Sequence, residues 1–79
     1  MTALTARQRE VLRLTAAGLS STQIGRRLGI NGRTVAHHLS STYRVLGAHD
    51  RAHAVALAIH FGYITLAELA HIASKETAA

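Results

Sequence analysis

The chain has 79 residues, of which 48% are hydrophobic and none is cysteine, so it is predicted to form one small domain without disulfides or thiolate-bound metals. Its longest uninterrupted apolar run, residues 54–59, is far shorter than the roughly 20 residues that cross a membrane, and no charged-then-apolar leader is present, so we expect a soluble, cytoplasmic protein. The net charge of +5 is concentrated before residue 52, where eight arginines oppose two carboxylates; this fits a polyanion-binding part joined to an apolar, protein-contacting part, although an ordinary solvated surface fits the composition equally well.

Each predicted helix follows a residue type that caps helix N-termini, and the first four end at a glycine. Thr5 with Gln8 and Ser20 with Gln23 have the spacing of a capping box, in which side chain and backbone bond reciprocally. The predicted helices cover residues 6–17, 20–28, about 32–46, 51–61 and 66–74, and the last five residues are expected to fray. Because alternating strand patterns are absent, the fold class is predicted to be all-α.

The second and third predicted helices are joined by only three residues, Gly29, Ile30 and Asn31. Glycine permits the left-handed conformation that ends a helix, isoleucine can fill the core, and asparagine caps the next helix. Two helices joined at a steep angle by such a short link form a helix-turn-helix, although any compact helical bundle can use the same corner.

The third predicted helix has two chemically different faces at 100° per residue. Its outer face has Arg33 and Arg44 at the ends, His37 and Ser40 between them, and no acidic residue. A slim middle that approaches base edges and cationic ends that meet phosphates are what a helix needs in the DNA major groove. The inner face, predicted to dock against the first two helices, consists of Val35, Leu39, Thr42 and Leu46.

The adjacent histidines, His37 and His38, are predicted to point in different directions. His37 lies on the outer face, where a neutral imidazole donates to or accepts from a base edge; an exposed histidine without a function is the alternative. His38 lies about 100° further round the helix, at the margin, from which it can reach a backbone phosphate.

These segments resemble the DNA-binding domain of the LuxR-type (GerE-like) bacterial transcription regulators over roughly residues 4–59. "LTARQREVLRLTAAGLSSTQIGRRLGI" is similar to the first two helices of that family, and "TVAHHLSSTYRVLGAHDRAHAVALA" to its third and fourth helices. Thr34, Val35 and His38 match the family landmark "TVKxH", and Leu46 and Gly47 match "KLG". The resemblance implies a compact four-helix helix-turn-helix domain, residues 1–62. Beyond it the sequence predicts an additional C-terminal helix and frayed tail, residues 63–79.

The resemblance also implies that the domain binds double-stranded DNA as a homodimer, with the third helix in the major groove. Together with the outer face of that helix, it places four side chains near the bases: Ala36, His37, Ser40 and Ser41. The side chains expected to contact phosphates are Ser21, Thr22, Gln23, Arg33, Thr34, His38 and Arg44. If each subunit neutralises about four phosphates, the affinity of a dimer falls with salt at a log–log slope of about −7.

Four positions depart from the family pattern. Ala36 and Val45 replace common lysines, Gln23 replaces a common glutamate, and Gly25 stands where alanine is usual. Ala36 lacks the charge for a guanine contact or a phosphate clamp but can touch a thymine methyl group, which shifts the expected sequence preference.

The fourth predicted helix is apolar on nearly every side, which leaves more apolar surface than a small monomer needs. Val55 and Ile59, one turn apart, are expected to complete the core. The side chains left for a dimer contact are Ala54, Leu57, Ala58 and Phe61. The fifth predicted helix, with an apolar stripe that includes Leu66 and Leu69, shields the fourth helix, extends the dimer contact or binds another protein; the sequence leaves these three open.

Other functional classes fit less well. His49 and His53 have the spacing of two metal ligands, but a metal site needs three or four, so no metal or other cofactor is expected. Ser41 and His38 lack an orienting acid and oxyanion donors, so the chain is not expected to be an enzyme. The sigma-factor region-four domain shares the bend and the "TV" start, but the alanine-rich fourth helix favours the LuxR-type interpretation.

The main alternative is a protein-interaction module that retains the helix-turn-helix as a scaffold and binds a transcription-machinery partner through its apolar C-terminal helices. The favoured interpretation is a stand-alone, sequence-specific transcription regulator without a sensing domain. Its regulation is then expected to come from its own abundance, from a partner or from the fifth helix.

Overall fold

The computed structural model describes residues 4–78, and side chains from residue 4 to residue 72. This part of the chain contains five helices and no strand: α1 (Ala6–Ala16), α2 (Ser21–Leu28), α3 (Gly32–Leu46), α4 (Arg51–His60) and α5 (Leu66–Ala78). The all-α prediction is confirmed, whereas α5 continues past its predicted end at residue 74. Within the described residues, no helix combines the length and the apolar character that crossing a bilayer requires.

The helix starts are fixed by local hydrogen bonds, as the sequence predicts. The Oγ1 atom of Thr5 accepts from the Gln8 N–H at 3.0 Å, and the Oε1 atom of Gln8 accepts from the Thr5 N–H at 2.9 Å. Ser20 and Gln23 repeat this capping box at 3.1 and 2.8 Å. Because these bonds satisfy N–H groups that have no partner inside the helix, each box is worth about 1 kcal/mol or more.

The core consists of two clusters of buried side chains, and α1 contributes to both. The first cluster is shared by α1, α2, α3, α5 and the segment before α2, and consists of Val11, Leu14, Leu19, Ile24, Val35 and Ile72. The second joins α1 to α4 and to the segment before α5, and consists of Leu12, Ala54, Ala58 and Ile64. The helix α1 is therefore the element around which the others pack.

The corner between α2 and α3 is unusually tight at Gly25, which is buried inside α2. A Cβ atom at this position would lie 2.5 Å from the carbonyl oxygen of Ile30, and the Gly25 carbonyl accepts from the Ile30 N–H at 2.9 Å. Gly29 ends α2 in the left-handed conformation, with a φ of 73°, which glycine adopts without strain. The turn thus closes onto the backbone of α2, and this closeness is the physical reason for glycine at residue 25.

The helix α5 packs against α1 rather than extending away from the domain. Ile72 is buried in the first cluster with Val11 and Leu14, and burial of a side chain of this size contributes about 1.5–3 kcal/mol. An ion pair between Arg13 and Glu68, with 3.7 Å between Nη1 and Oε2, lies beside it. Through Ile72, α5 therefore shares its core with the helices before it.

Two arginines hold distant parts of the chain together. Arg51, at the start of α4, donates from Nη2 to the carbonyl oxygen of Thr15 at 2.7 Å, close to the end of α1. Arg9 donates from Nε to the carbonyl oxygen of Tyr63 at 2.7 Å. For Arg51 the helix dipole adds to the hydrogen bond, because Thr15 lies at the C-terminus of α1, and Arg9 holds the loop before α5; both side chains therefore have a structural task.

Candidate nucleic-acid interface

The cationic outer face of α3 points to solvent. Arg33, His37, Ser40 and Arg44 are all exposed, and they follow one another at the spacing of one helix face. Ala36 beside them is exposed as well, whereas Ser41 is half-buried. The helix contains no acidic residue, so nothing on it repels an approaching polyanion.

The opposite side of α3 fixes its rotation about its own axis. Val35 is fully buried in the cluster with Val11 and Ile24, as the sequence predicts, and Thr42, about two turns further along the same face, is fully buried as well. The Thr42 hydroxyl donates to the backbone carbonyl of His38 at 2.7 Å, which removes the cost of burying it. With this side held in the core, α3 cannot rotate its arginines out of the exposed face.

The two neighbouring histidines lie in different environments. His37 is exposed on the outer face, and His38 is half-buried at its margin. The two imidazoles therefore point in different directions, as the helical period predicts. What each imidazole contacts on DNA stays a prediction.

The start of α3 already uses one of the groups that the sequence assigns to phosphate binding. The Asn31 side chain caps the helix by accepting from the Thr34 N–H at 2.8 Å, and it also accepts from the Thr34 hydroxyl at 3.0 Å. The Thr34 hydroxyl must therefore turn away from Asn31 before it can donate to a phosphate. The backbone cap remains in either orientation.

The first turn of α2 carries the remaining predicted phosphate contacts. Thr22 and Gln23 are exposed and Ser21 is half-buried. Since the Oε1 atom of Gln23 is engaged in the capping box, its amide NH₂ group faces outward as a donor. A glutamate in the same cap would have no donor, so glutamine is the better residue beside a phosphate.

The predicted dimer contact requires a correction. Ala54 and Ala58 are fully buried in the second core cluster with Leu12 and Ile64, so they have no surface for a partner. Leu57 is half-buried, and Phe61 is 58% exposed. Val55 and Ile59 are half-buried and pack against this cluster, as the sequence predicts, whereas Ala52 and Ala56, on the other side of the helix, are exposed.

The pair of histidines before and within α4 is organised by hydrogen bonding. The Nδ1 atom of His53 accepts from the His49 N–H at 3.0 Å, and the two rings stack with centroids 5.1 Å apart. This bond occupies one of the two ring nitrogens through which His53 could bind a metal. Among the residues that the structure describes, no three histidine, aspartate or glutamate side chains are grouped so that they could hold a metal ion.

Comparisons with known proteins agree with this geometry. A family model described as "Bacterial regulatory proteins, luxR family" matches residues 2–58. "Transcriptional activator protein BjaR1" of Bradyrhizobium diazoefficiens is 50% identical over 58 residues, 73% of this chain and 24% of that protein. "Putative HTH-type transcriptional regulator YhjB" of Escherichia coli (strain K12) is 51% identical over 51 residues, 65% of this chain and 26% of that protein.

A further relative matches over a longer part of the chain. "Transcriptional regulatory protein YdfI" of Bacillus subtilis (strain 168) is 42% identical over 65 residues, 82% of this chain and 30% of that protein. The chain thus spans between 24% and 30% of the length of these three relatives. No solved structure gave a significant match.

Proposed function

The chain belongs to the luxR family of bacterial regulatory proteins, and from this premise we propose that it is a sequence-specific transcription regulator that binds DNA as a homodimer in the bacterial cytoplasm. The helix α3 enters the major groove with its outer face. The observation that carries this proposal is the exposed, acid-free face that has arginine at both ends and small or hydrogen-bonding residues between them.

The bases are read from the middle of this face. His37 and Ser40 are exposed and offer hydrogen bonds to base edges, while Ala36 offers a methyl group to thymine. Ser41 is half-buried and reaches only the bases at the margin of the helix. Since no arginine or lysine lies among these four positions, we expect less guanine recognition than a lysine at residue 36 would give.

The phosphates are contacted from both sides of the base-reading positions. Arg33 and Arg44 are about 11 residues apart, which is roughly 16 Å along a helix, so they reach different phosphates across the groove. The other proposed phosphate contacts are Ser21, Thr22, Gln23, Thr34 and His38.

Selection of bound sequences from a random DNA pool tests this proposal directly. We expect a palindrome whose half-sites are centred about one helical turn, roughly 10 base pairs, apart, because a two-fold dimer presents two copies of α3. Enrichment of one unrepeated half-site would contradict the homodimer. No enrichment in any round would contradict sequence-specific binding itself.

The dimer contact proposed here uses the exposed side of α4. Ala52 and Ala56 are exposed and Val55 and Ile59 are half-buried, which gives an apolar stripe with small residues at its centre. Small side chains let the backbones of two helices approach closely, and a two-fold axis through this stripe pairs it with itself. Leu57 and Phe61, which the sequence also assigns to the contact, flank the other side of the helix.

Glutamate in place of Ala56 is expected to separate the two subunits. Two copies of the carboxylate would face each other across the axis, and like charges in such a contact cost several kcal/mol, so the dimer dissociation constant should rise by at least ~100-fold. Analytical ultracentrifugation measures this change, with circular dichroism as a check on the fold.

The control substitution is Ala67→Glu, which places the same charge on an exposed position of α5. It should leave the dimer dissociation constant within about threefold, given the small effect of exposed surface changes. Equal weakening by both substitutions, or an unaffected Ala56→Glu dimer, would show that the contact lies elsewhere.

A further inference from the structure

The helix α5, which lies beyond the matched family region, forms a cleft with α1 and α2. The cavity has a volume of about 310 Å³, which is within the range of small-molecule sites. Leu14, Leu28 and Ile72, one side chain from each helix, form its apolar lining. The cleft therefore exists only because α5 packs against the helix-turn-helix.

The charged lining of the cleft is balanced. Arg13 and Arg27 contribute two positive charges and Glu10 and Glu68 two negative ones, while His71 completes the polar side. Since the charges cancel, the cleft has no net preference for an anion or a cation. A ligand that is itself neutral overall but carries both charges fits this arrangement best.

The ion pair in the cleft has unused hydrogen-bonding capacity. Arg13 and Glu68 approach only to 3.7 Å, and the buried Nε of Arg13 and Oε2 of Glu68 have no hydrogen-bond partner. Buried donors and acceptors normally have partners, so this pair is an exception that calls for one. Because these atoms make no hydrogen bond within the described chain, either group can turn toward a ligand without losing one there.

We propose that the cleft between α1, α2 and α5 binds a free amino acid with an aliphatic side chain. The ligand carboxylate pairs with Arg13, its ammonium group pairs with Glu68, and its side chain lies on Leu14, Leu28 and Ile72. Arginine holds carboxylates well because its N–H groups match the two oxygens. A binding site in this cleft is independent of DNA binding; an effect of the ligand on DNA affinity, through Arg27 and Leu28 of α2, would rest on the proposed function.

Titration of the isotope-labelled chain with L-leucine, L-valine and L-methionine, followed by amide NMR, tests this proposal. At least one of the three should shift the amides of α1, α2 and α5 around the cleft and saturate with a Kd of about 1 mM, typical for a ligand of nine or so heavy atoms. Absence of saturable shifts at the cleft with all three amino acids, up to about twenty times that concentration, would overturn the proposal.

Two analogues of leucine separate the roles of the charges. 3-Methylbutylamine lacks the carboxylate and 4-methylpentanoate lacks the ammonium group, and each should bind at least ~10-fold more weakly than L-leucine, since one charged hydrogen bond is lost. If both analogues bind as well as L-leucine, the cleft is only an apolar crevice and the proposal is wrong.

Two variants complete the design. Glu68→Gln should weaken the binding of L-leucine and of 3-methylbutylamine by about 10-fold and leave the binding of 4-methylpentanoate unchanged. Arg13→Gln should weaken the binding of L-leucine and of 4-methylpentanoate by about 10-fold and leave the binding of 3-methylbutylamine unchanged. The same spectra report whether α5 is still packed, through the amide of Ile72. Loss of all binding in a variant that keeps the Ile72 shift, or equal effects on both analogues, would contradict the assigned pairing.

Discussion

Alanine at both Arg33 and Arg44 is expected to abolish most DNA binding at physiological salt. Each dimer would lose four charged contacts to phosphates, which we expect to lower affinity by roughly 100-fold or more and to flatten the log–log salt slope by about 3.6 from its value near −7. Both side chains are exposed and the core contacts of α3 lie on its other side, so the fold should be unaffected.

The measurement is a salt series of fluorescence anisotropy with a labelled duplex, selected or random in sequence. Arg7→Ala is the matched control, because it removes one positive charge from an exposed residue on α1. The Arg7 Nη1 atom lies 3.3 Å from Oε1 of Glu10, away from α3 in the sequence. We expect each single α3 substitution to lower the slope by about 1.8 and Arg7→Ala to lower it by less than half of that.

This comparison also separates the two functional classes left open by the sequence. A protein-interaction module that retained the helix-turn-helix as a scaffold would bind DNA weakly and without dependence on the outer face of α3. Equal affinity and equal salt slope for the wild type, the double variant and Arg7→Ala would therefore favour that class.

Valine at Gly25 is expected to destabilise the domain more than any surface substitution. A Cβ atom there would lie 2.5 Å from the backbone carbonyl oxygen of Ile30, and backbone cannot move aside as a side chain can. Overpacking of this kind costs about 3 kcal/mol or more, a large part of the roughly 4–12 kcal/mol expected for a domain of this size. The melting temperature should fall by about 12 °C or more.

Valine at Gly32 is the control for this prediction. Gly32 also lies in a helix, but an added Cβ would have no neighbour within 4 Å, so its melting temperature should stay within a few degrees of the wild type, about 4 °C. Thermal unfolding followed by circular dichroism compares the two. Similar melting temperatures for both variants would show that the turn opens easily and that the contact at Ile30 is not a constraint.

The helix starts were predictable because each is encoded within four residues. The bonds of Thr5 with Gln8 and of Ser20 with Gln23 depend on local spacing alone, so no tertiary information is needed. The outer face of α3 was predictable for a related reason. Its apolar and polar residues alternate with the helical period, so only one rotation of the helix buries Val35.

The orientation of α4 was not predictable in the same way. This helix is apolar on nearly every side, so the helical period carries little information about which side is buried, and the choice depends on Leu12 and Ile64 from distant parts of the chain. As a result, Ala54 and Ala58 were assigned to the surface although both are in the core. The dimer stripe proposed above lies on residues one or two positions away.

The sequence also does not predict which arginines bond to the chain's own backbone. Arg51 and Arg9 contribute to the same positive charge as Arg33 and Arg44, but they bond to the carbonyl oxygens of Thr15 and Tyr63. A count of charges cannot separate these uses, because the partners lie 36 and 54 residues away along the chain.

The closeness of the chain at Gly25 has a mechanical consequence. The turn lies so close to α2 that a Cβ atom at Gly25 would be only 2.5 Å from the Ile30 carbonyl oxygen. The crossing angle of α2 and α3 therefore cannot change unless the turn moves away from α2. If the domain binds DNA as proposed, α2 and α3 approach the duplex as one rigid unit. In the proposed complex, any accommodation between protein and operator is then left to bending of the DNA and to movement of one subunit relative to the other.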